Sequence, residues 1–95
     1  MAIRRLNRKI LMKYVKSYFQ EYLENPAWGF STWYFELDDH YLPQRQVVIY
    51  DSGPTLKMDR ETEELSHIPI DTAADPGYRF ETIDADAFEA IWQNR

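Results

Sequence analysis

Glu36, Asp38, Asp39 and His40 gather three carboxylates and an imidazole within five consecutive positions. Carboxylates are the ligands that hard divalent cations take, and an acid beside an imidazole can move a proton, so this stretch is the first candidate for metal binding or acid–base work. Its spacing matches no standard metal-binding loop. If the residues around it form a strand and a turn, Glu36 and Asp38 share a face while Asp39 and His40 fall in the turn. That arrangement reads more simply as an exposed acidic edge. His67 stands beside Ile68 and Pro69 with no second ligand at a recognised spacing. Ser17, Ser31, Ser52 and Ser66 sit in no nucleophile-elbow pattern, and Gly29, Gly53 and Gly77 are too far apart to cradle a phosphate. The chain has no cysteine, so it has no thiol nucleophile, no disulfide framework and no cysteine-ligated zinc. The expectation is a protein that is not an enzyme and that carries neither cofactor nor metal.

Recognition of charge is the second chemistry the sequence offers. Arg4, Arg5, Arg8, Lys9, Lys13 and Lys16 are met by no acid over residues 1–16, so all 16 carboxylates fall in the rest of the chain against the remaining bases. The body is strongly acidic: it repels phosphates and draws in basic partners. Solubility alone would also account for such a surface. Carboxylates concentrate in two places, Glu36–Asp38–Asp39 and Asp59–Glu61–Glu63–Glu64, and Trp33 and Tyr34 lie beside the first. Together these nine residues are the candidate partner-binding surface, because aromatic anchors surrounded by rim charges are the usual composition of a binding hot spot. Aromatic residues make up 16% of the chain, with Trp28, Trp33, Tyr34, Tyr41 and Tyr50 in or beside the expected strands and loops. Packing in the core or on a sheet face competes with binding as their role. The basic residues 4–16, interleaved with apolar ones, have a rival use on an anionic membrane or a nucleic-acid backbone.

The elements that would position these residues follow from periodicity and turn chemistry. At 95 residues there is room for one domain, taken as residues 12–95, after a basic extension over residues 1–11. Residues 3–23 repeat apolar side chains at helical spacing until Asn25 and Pro26. Against a helix, the bases lie at its N-terminal end and Glu21 and Glu24 at its C-terminal end, opposite to what the macrodipole favours, and residues 14–22 are rich in strand-forming aromatics. Helix and strand both stay open for residues 14–22, with a strand adopted. Residues 31–38 and 46–50 read as strands. Asp51, Ser52, Gly53 and Pro54 supply a turn, with Gly53 free to take positive φ, and residues 55–58 return as a short strand. Residues 59–64 read as a surface loop, residues 68–70 as an extended stretch across the core, and Asp75, Pro76 and Gly77 as a turn. Asp84 is an N-cap, Ile83 and Phe88 form a hydrophobic staple, and Phe88, Ile91 and Trp92 share one face of a C-terminal helix. The fold class is α+β: an antiparallel sheet of three to four strands with the C-terminal helix packed on one face.

Several ordered motifs resemble a known group. Residues 12–15, Tyr34 to Asp39, Arg45 to Tyr50 followed by Asp51, Ser52 and Gly53, Ile68 to Ile70, Ala73 to Pro76 and Phe88 to Trp92 are similar to a family of short bacterial proteins, a domain of unknown function. The resemblance spans residues 12–95, and it implies a first strand at residues 14–22. It departs at residues 1–11, at residues 26–29, and at Tyr18 and Phe19, where the family shows a tryptophan in its first strand. It transfers no catalytic residues.

Three functions are compatible with these features. The first is an acidic protein-binding module, cytoplasmic, that neutralises a basic protein such as a toxin in the manner of a bacterial immunity protein or antitoxin. The second is a nucleic-acid- or membrane-surface-associated protein using the basic N-terminal segment. The third is a small metal-dependent hydrolase using Glu36, Asp38 and His40. No nucleic acid is expected for the acidic body, and no apolar run is long enough to span a membrane.

Overall fold

The computed structural model describes residues 12–20, 25–62, 65, 68–70 and 79–94. Strands β1 (Lys13–Phe19), β2 (Ser31–Leu37), β3 (Pro43–Tyr50), β4 (Thr55–Asp59) and β5 (Glu81–Thr82) are followed by one helix, α1 (Ala85–Gln93). All neighbouring strands are antiparallel, in the order β4-β3-β2-β1-β5. The α+β class holds, with a sheet of five strands rather than three to four. The added strand, β5, pairs with β1 only at Val15–Thr82 and Lys16–Glu81. Two residues carry no periodicity, so backbone bonding alone makes this strand, helped by Ile83 N–H donating to the Tyr14 carbonyl.

Residues 13–19 form a strand, so the strand adopted for residues 14–22 holds over residues 14–19 against the helical reading; residue 20 is not in the strand, and residues 21 and 22 lie outside the described residues. Both faces of the sheet are covered, which is why apolar residues on β1 do not simply alternate. On one face Tyr14, Val47 and Phe88 are buried together, with Tyr34, Ile49, Ile83, Ile91 and Trp92 packed around them. On the other face Val15, Phe35 and Leu37 form a second cluster against Trp33, Ile70 and Phe80. Ile70 thus packs on the core as expected of residues 68–70, while Ile68 is 73% exposed.

Helix α1 begins as the sequence indicates. The Asp84 carboxylate accepts from the Ala87 N–H, and Phe88, fully buried, carries the helix into the first cluster with Ile91 and Trp92. Its C-terminal end is held by the sheet: Lys57 Nζ donates to the carbonyls of Trp92 and Asn94 and lies over the Trp92 ring. A cation there satisfies carbonyls that a helix end leaves without partners.

Residues 26–29, a departure from the resembled family, form a short 3₁₀ turn (Pro26–Trp28) capped by the Asn25 side chain. The turn seats Trp28 on Gly53 and against Tyr50, ring centroids 5.0 Å apart. This corrects the role expected of Gly53. It does not take positive φ; a Cβ there would lie 2.5 Å from Trp28 Cγ, so the position needs glycine for space. Of the described glycines, Gly29 is the one with positive φ, at 79°. The extension over residues 1–11, His67, Glu63, Glu64 and the turn at residues 75–77 lie outside the described residues.

Candidate functional site

Antiparallel register brings Glu36 of β2 opposite both Tyr14 of β1 and Arg45 of β3. Arg45 Nε and Nη2 donate to the two Glu36 carboxylate oxygens at 2.7 Å each, and Tyr14 O–H donates to the same carboxylate at 3.0 Å. From the helix, Glu89 closes a second ion pair with Arg45. The guanidinium also lies 5.1 Å from the Phe88 ring centroid and 5.0 Å from that of Trp92. Glu36 is 8% exposed. Its charge is affordable in that position because the arginine fork and a phenol satisfy it. The Glu36 carboxylate holds Arg45 above its ordinary pKa, and burial, with the Glu36 hydrogen bond and charge behind it, pushes Tyr14 up to about 12. Every group in this network faces another group of the protein, so it ties sheet to helix.

Asp38 has a different task. Its carboxylate accepts from the His40 and Leu42 N–H groups at 2.8 and 2.9 Å and from the Gln44 amide, which knots the β2–β3 turn. Those backbone donors, Leu42 foremost, hold its pKa below the usual carboxylate value. Within the knot Tyr41 takes φ 65°, its N–H donating to the Asp38 carbonyl and its own carbonyl accepting from the Ile70 N–H. A left-handed backbone is uncommon for a bulky residue and is held here by the surrounding bonds. Tyr41 is 39% exposed, with Lys13 Nζ 5.2 Å from its ring centroid. Asp39 is exposed, its carboxylate 3.6 Å from His40.

Asp59 ends β4 opposite Arg45, at the same end of the sheet as the Asp38 turn. Its carboxylate accepts from the Glu61 N–H, and Glu61 is exposed. Arg60 is close enough to Asp38 to act on its charge. The two turns therefore lie at one end of the sheet, Asp38 and Asp39 in one and Asp59 and Glu61 in the other, while the Tyr41 ring sits on the β1 side beside Lys13.

Of the other residues picked out from the sequence, the described ones, Glu36, Trp33 and Tyr34, are not gathered at this end. Glu36 is inside the network under α1. Trp33 lies on the opposite face, edge-on to Phe19 at 5.4 Å, its indole donating to Ser31 Oγ. Tyr34 lies on the helix-side face beside Lys16. Glu36, Asp38, Asp39 and His40 consequently do not converge on a common point, and no group of three or more such ligands is arranged to hold a metal ion among the described residues. No helix among them is long and apolar enough to cross a membrane. Arg45, Glu89 and Tyr14 escaped the sequence reading. A cation between Gln44 and Gln46 just ahead of the apolar run Val47 to Tyr50 was the available signal. No protein-family model, curated protein or solved structure matches the chain.

Proposed function

We propose that the chain is an acidic protein-binding module that captures a basic protein, such as a toxin, in the cytoplasm, in the manner of a bacterial immunity protein or antitoxin. We also read it as one of the short bacterial proteins its motifs resemble. The observation that supports the reading is that two acidic turns lie at one end of the sheet, Asp38 and Asp39 in the β2–β3 turn and Asp59 and Glu61 at the end of β4, with the partly exposed Tyr41 on the β1 side of the first turn. Such a surface has the two parts that recognition needs. The carboxylates raise the encounter rate of a cationic partner over a range of about 8–10 Å, the Debye length near physiological salt. The tyrosine supplies a rigid anchor: its backbone is already fixed by five hydrogen bonds in and around the turn, two through Asp38 Oδ1, one through the Gln44 amide and two through the Tyr41 backbone. An anchor ordered before binding loses less entropy on association.

Glu36, Trp33 and Tyr34 are not part of this surface, and Glu63 and Glu64 lie outside the described residues. The test is to immobilise the folded protein, recover what it binds from the cells that make it, and titrate the purified partner at two ionic strengths. A basic protein whose association slows as salt rises supports the reading. Recovery of nucleic acid or small metabolites alone, or a partner indifferent to salt, defeats it.

A further inference from the structure

Helix α1 covers only part of its face of the sheet. Beyond Tyr34 the face continues as a checkerboard of two rows: Glu81, Lys16 and Tyr34 across β5, β1 and β2, then Tyr18 and Thr32. Arg79 leads into β5 at the margin of the second row. These residues line an open groove of about 650 Å³, within the ~300–1,000 Å³ typical of small-molecule sites. It lies toward the opposite end of the strands from the acidic turns.

What distinguishes the groove is how little of its polar lining is used. One row away, Tyr14, Glu36, Arg45 and Glu89 satisfy one another fully. In the groove, the side chains of Thr32, Tyr34 and Arg79 make no hydrogen bond among the described residues, and Lys16 has only a long contact with Glu81, at 4.0 Å. Glu81 lies at the rim, its side chain 70% exposed. Among the described residues the lining carries two cations, Lys16 and Arg79, and one carboxylate, Glu81, within a chain of net charge -5; the Asp51 carboxylate beyond it is engaged by the Tyr18 hydroxyl.

The aromatic part of the lining is preorganised. Tyr18 is 47% exposed, yet its hydroxyl donates to Asp51 at 2.8 Å and its ring meets Phe30 edge-on at 6.1 Å. Tyr34 is set by packing against the first cluster. Across the β1–β2 pair, Tyr18 and Tyr34 occupy one diagonal of the checkerboard, while Lys16 and Thr32 occupy the other. Diagonal neighbours on a sheet are about 7–8 Å apart, a separation that an aromatic ligand can bridge. We propose that this groove binds a small planar anion, an aromatic or heteroaromatic ring bearing a carboxylate or phosphate. The ring lies against Tyr18 and Tyr34, and the anionic group meets Lys16 and Arg79 with the Thr32 hydroxyl beside it. Ring stacking and charge-assisted hydrogen bonds act together, so neither half of the ligand is enough alone.

The experiment titrates the full chain with benzoate, adenosine 5′-monophosphate, adenosine and inorganic phosphate, following amide NMR shifts and calorimetry. Saturable binding of either ring-bearing anion is expected, with shifts concentrated at residues 16, 18, 32, 34 and 79–81. Adenosine and phosphate are expected to bind at least about tenfold more weakly, and Lys16→Gln with Arg79→Gln to weaken the anion by at least about tenfold without moving the denaturation midpoint, as befits surface charges that hold only a charge-assisted contact. Failure of both ring-bearing anions to saturate overturns the proposal. So does phosphate binding as tightly as the nucleotide, or a double variant that binds as well as the parent.

Discussion

Replacing Arg45 by alanine tests whether the ion network binds the helix to the sheet. The change removes both 2.7 Å bonds to Glu36 and the pair to Glu89, and it strips the cation from the faces of Phe88 and Trp92. Glu36, 8% exposed in the intact protein, then keeps only the Tyr14 phenol as a partner. An uncompensated buried charge of this kind costs about 3–5 kcal/mol, and the lost cation–π contacts add about 1 kcal/mol. Against a total stability of about 5–15 kcal/mol for a small domain, that is a large fraction. Urea denaturation followed by tryptophan fluorescence reports the change as a shift of midpoint, with Trp92 at the site. The companion variant, Glu36→Gln with Arg45→Met, removes both charges and keeps an oxygen for the Tyr14 hydroxyl, so it should be less destabilised than Arg45→Ala alone. An Arg45→Ala protein within about 0.5 kcal/mol of the parent would refute the reasoning, because water would then be satisfying Glu36. A double variant worse than the single would refute it as well.

Three further outcomes follow from the packing and the network. Phe88→Ala, at a side chain with no exposure, should cost about 3–5 kcal/mol in chemical denaturation and exceed Trp92→Ala, whose ring is only partly buried and stacked outside it at 6.3 Å. Gly53→Ala should destabilise by about 1–3 kcal/mol through its clash with Trp28, and adding Trp28→Ala should suppress that penalty in a thermal melt. Tyr14 sets an alkaline limit: with its folded pKa pushed up to about 12 and its unfolded value near 10, the unfolded chain loses the proton first. Its contribution is present below pH ~10 and is lost as pH rises through 12, amounting to about 2–3 kcal/mol. The fall of stability between pH 10 and 12 should be shallower in Tyr14→Phe, measured by denaturant titration at each pH.

The parts of the fold that sequence makes legible are those with local signals. Asp84 as a cap and Phe88, Ile91 and Trp92 at spacings of three and four sufficed for α1, because one face of that helix meets one core. The apolar run over residues 46–50 sufficed for β3, buried on both sides. β1 misleads for the same reason. Tyr14 enters one cluster and Val15 the other, so a strand covered on both faces imitates helical spacing. β5 is invisible because two residues have no period, and Gly53 because its neighbour Trp28 is remote in sequence. Among the candidate site residues, the carboxylates of the two turns were recognisable as acidic stretches, but their placement at one end of the sheet depends on the pairing of β2, β3 and β4. Glu36 was grouped with Asp38 by proximity along the chain. The register that sets it opposite Arg45 instead draws it into the interior, and a bulge between Glu36 and Leu37 shifts the pairing just before Asp38.

The most direct test of the binding account is the association rate of the purified partner with Asp39→Lys, Glu61→Lys protein at two ionic strengths. Both side chains are exposed, and the hydrogen bonds of the two turns run through Asp38 and Asp59, so the fold is retained. The account predicts an association rate lowered by about tenfold or more at low salt and a flattened salt dependence, with a dissociation rate nearly that of the parent. Tyr41→Ala, measured alongside, should instead raise the dissociation rate by the equivalent of about 2 kcal/mol. A charge-reversed protein that associates as fast as the parent at both salts would contradict the account.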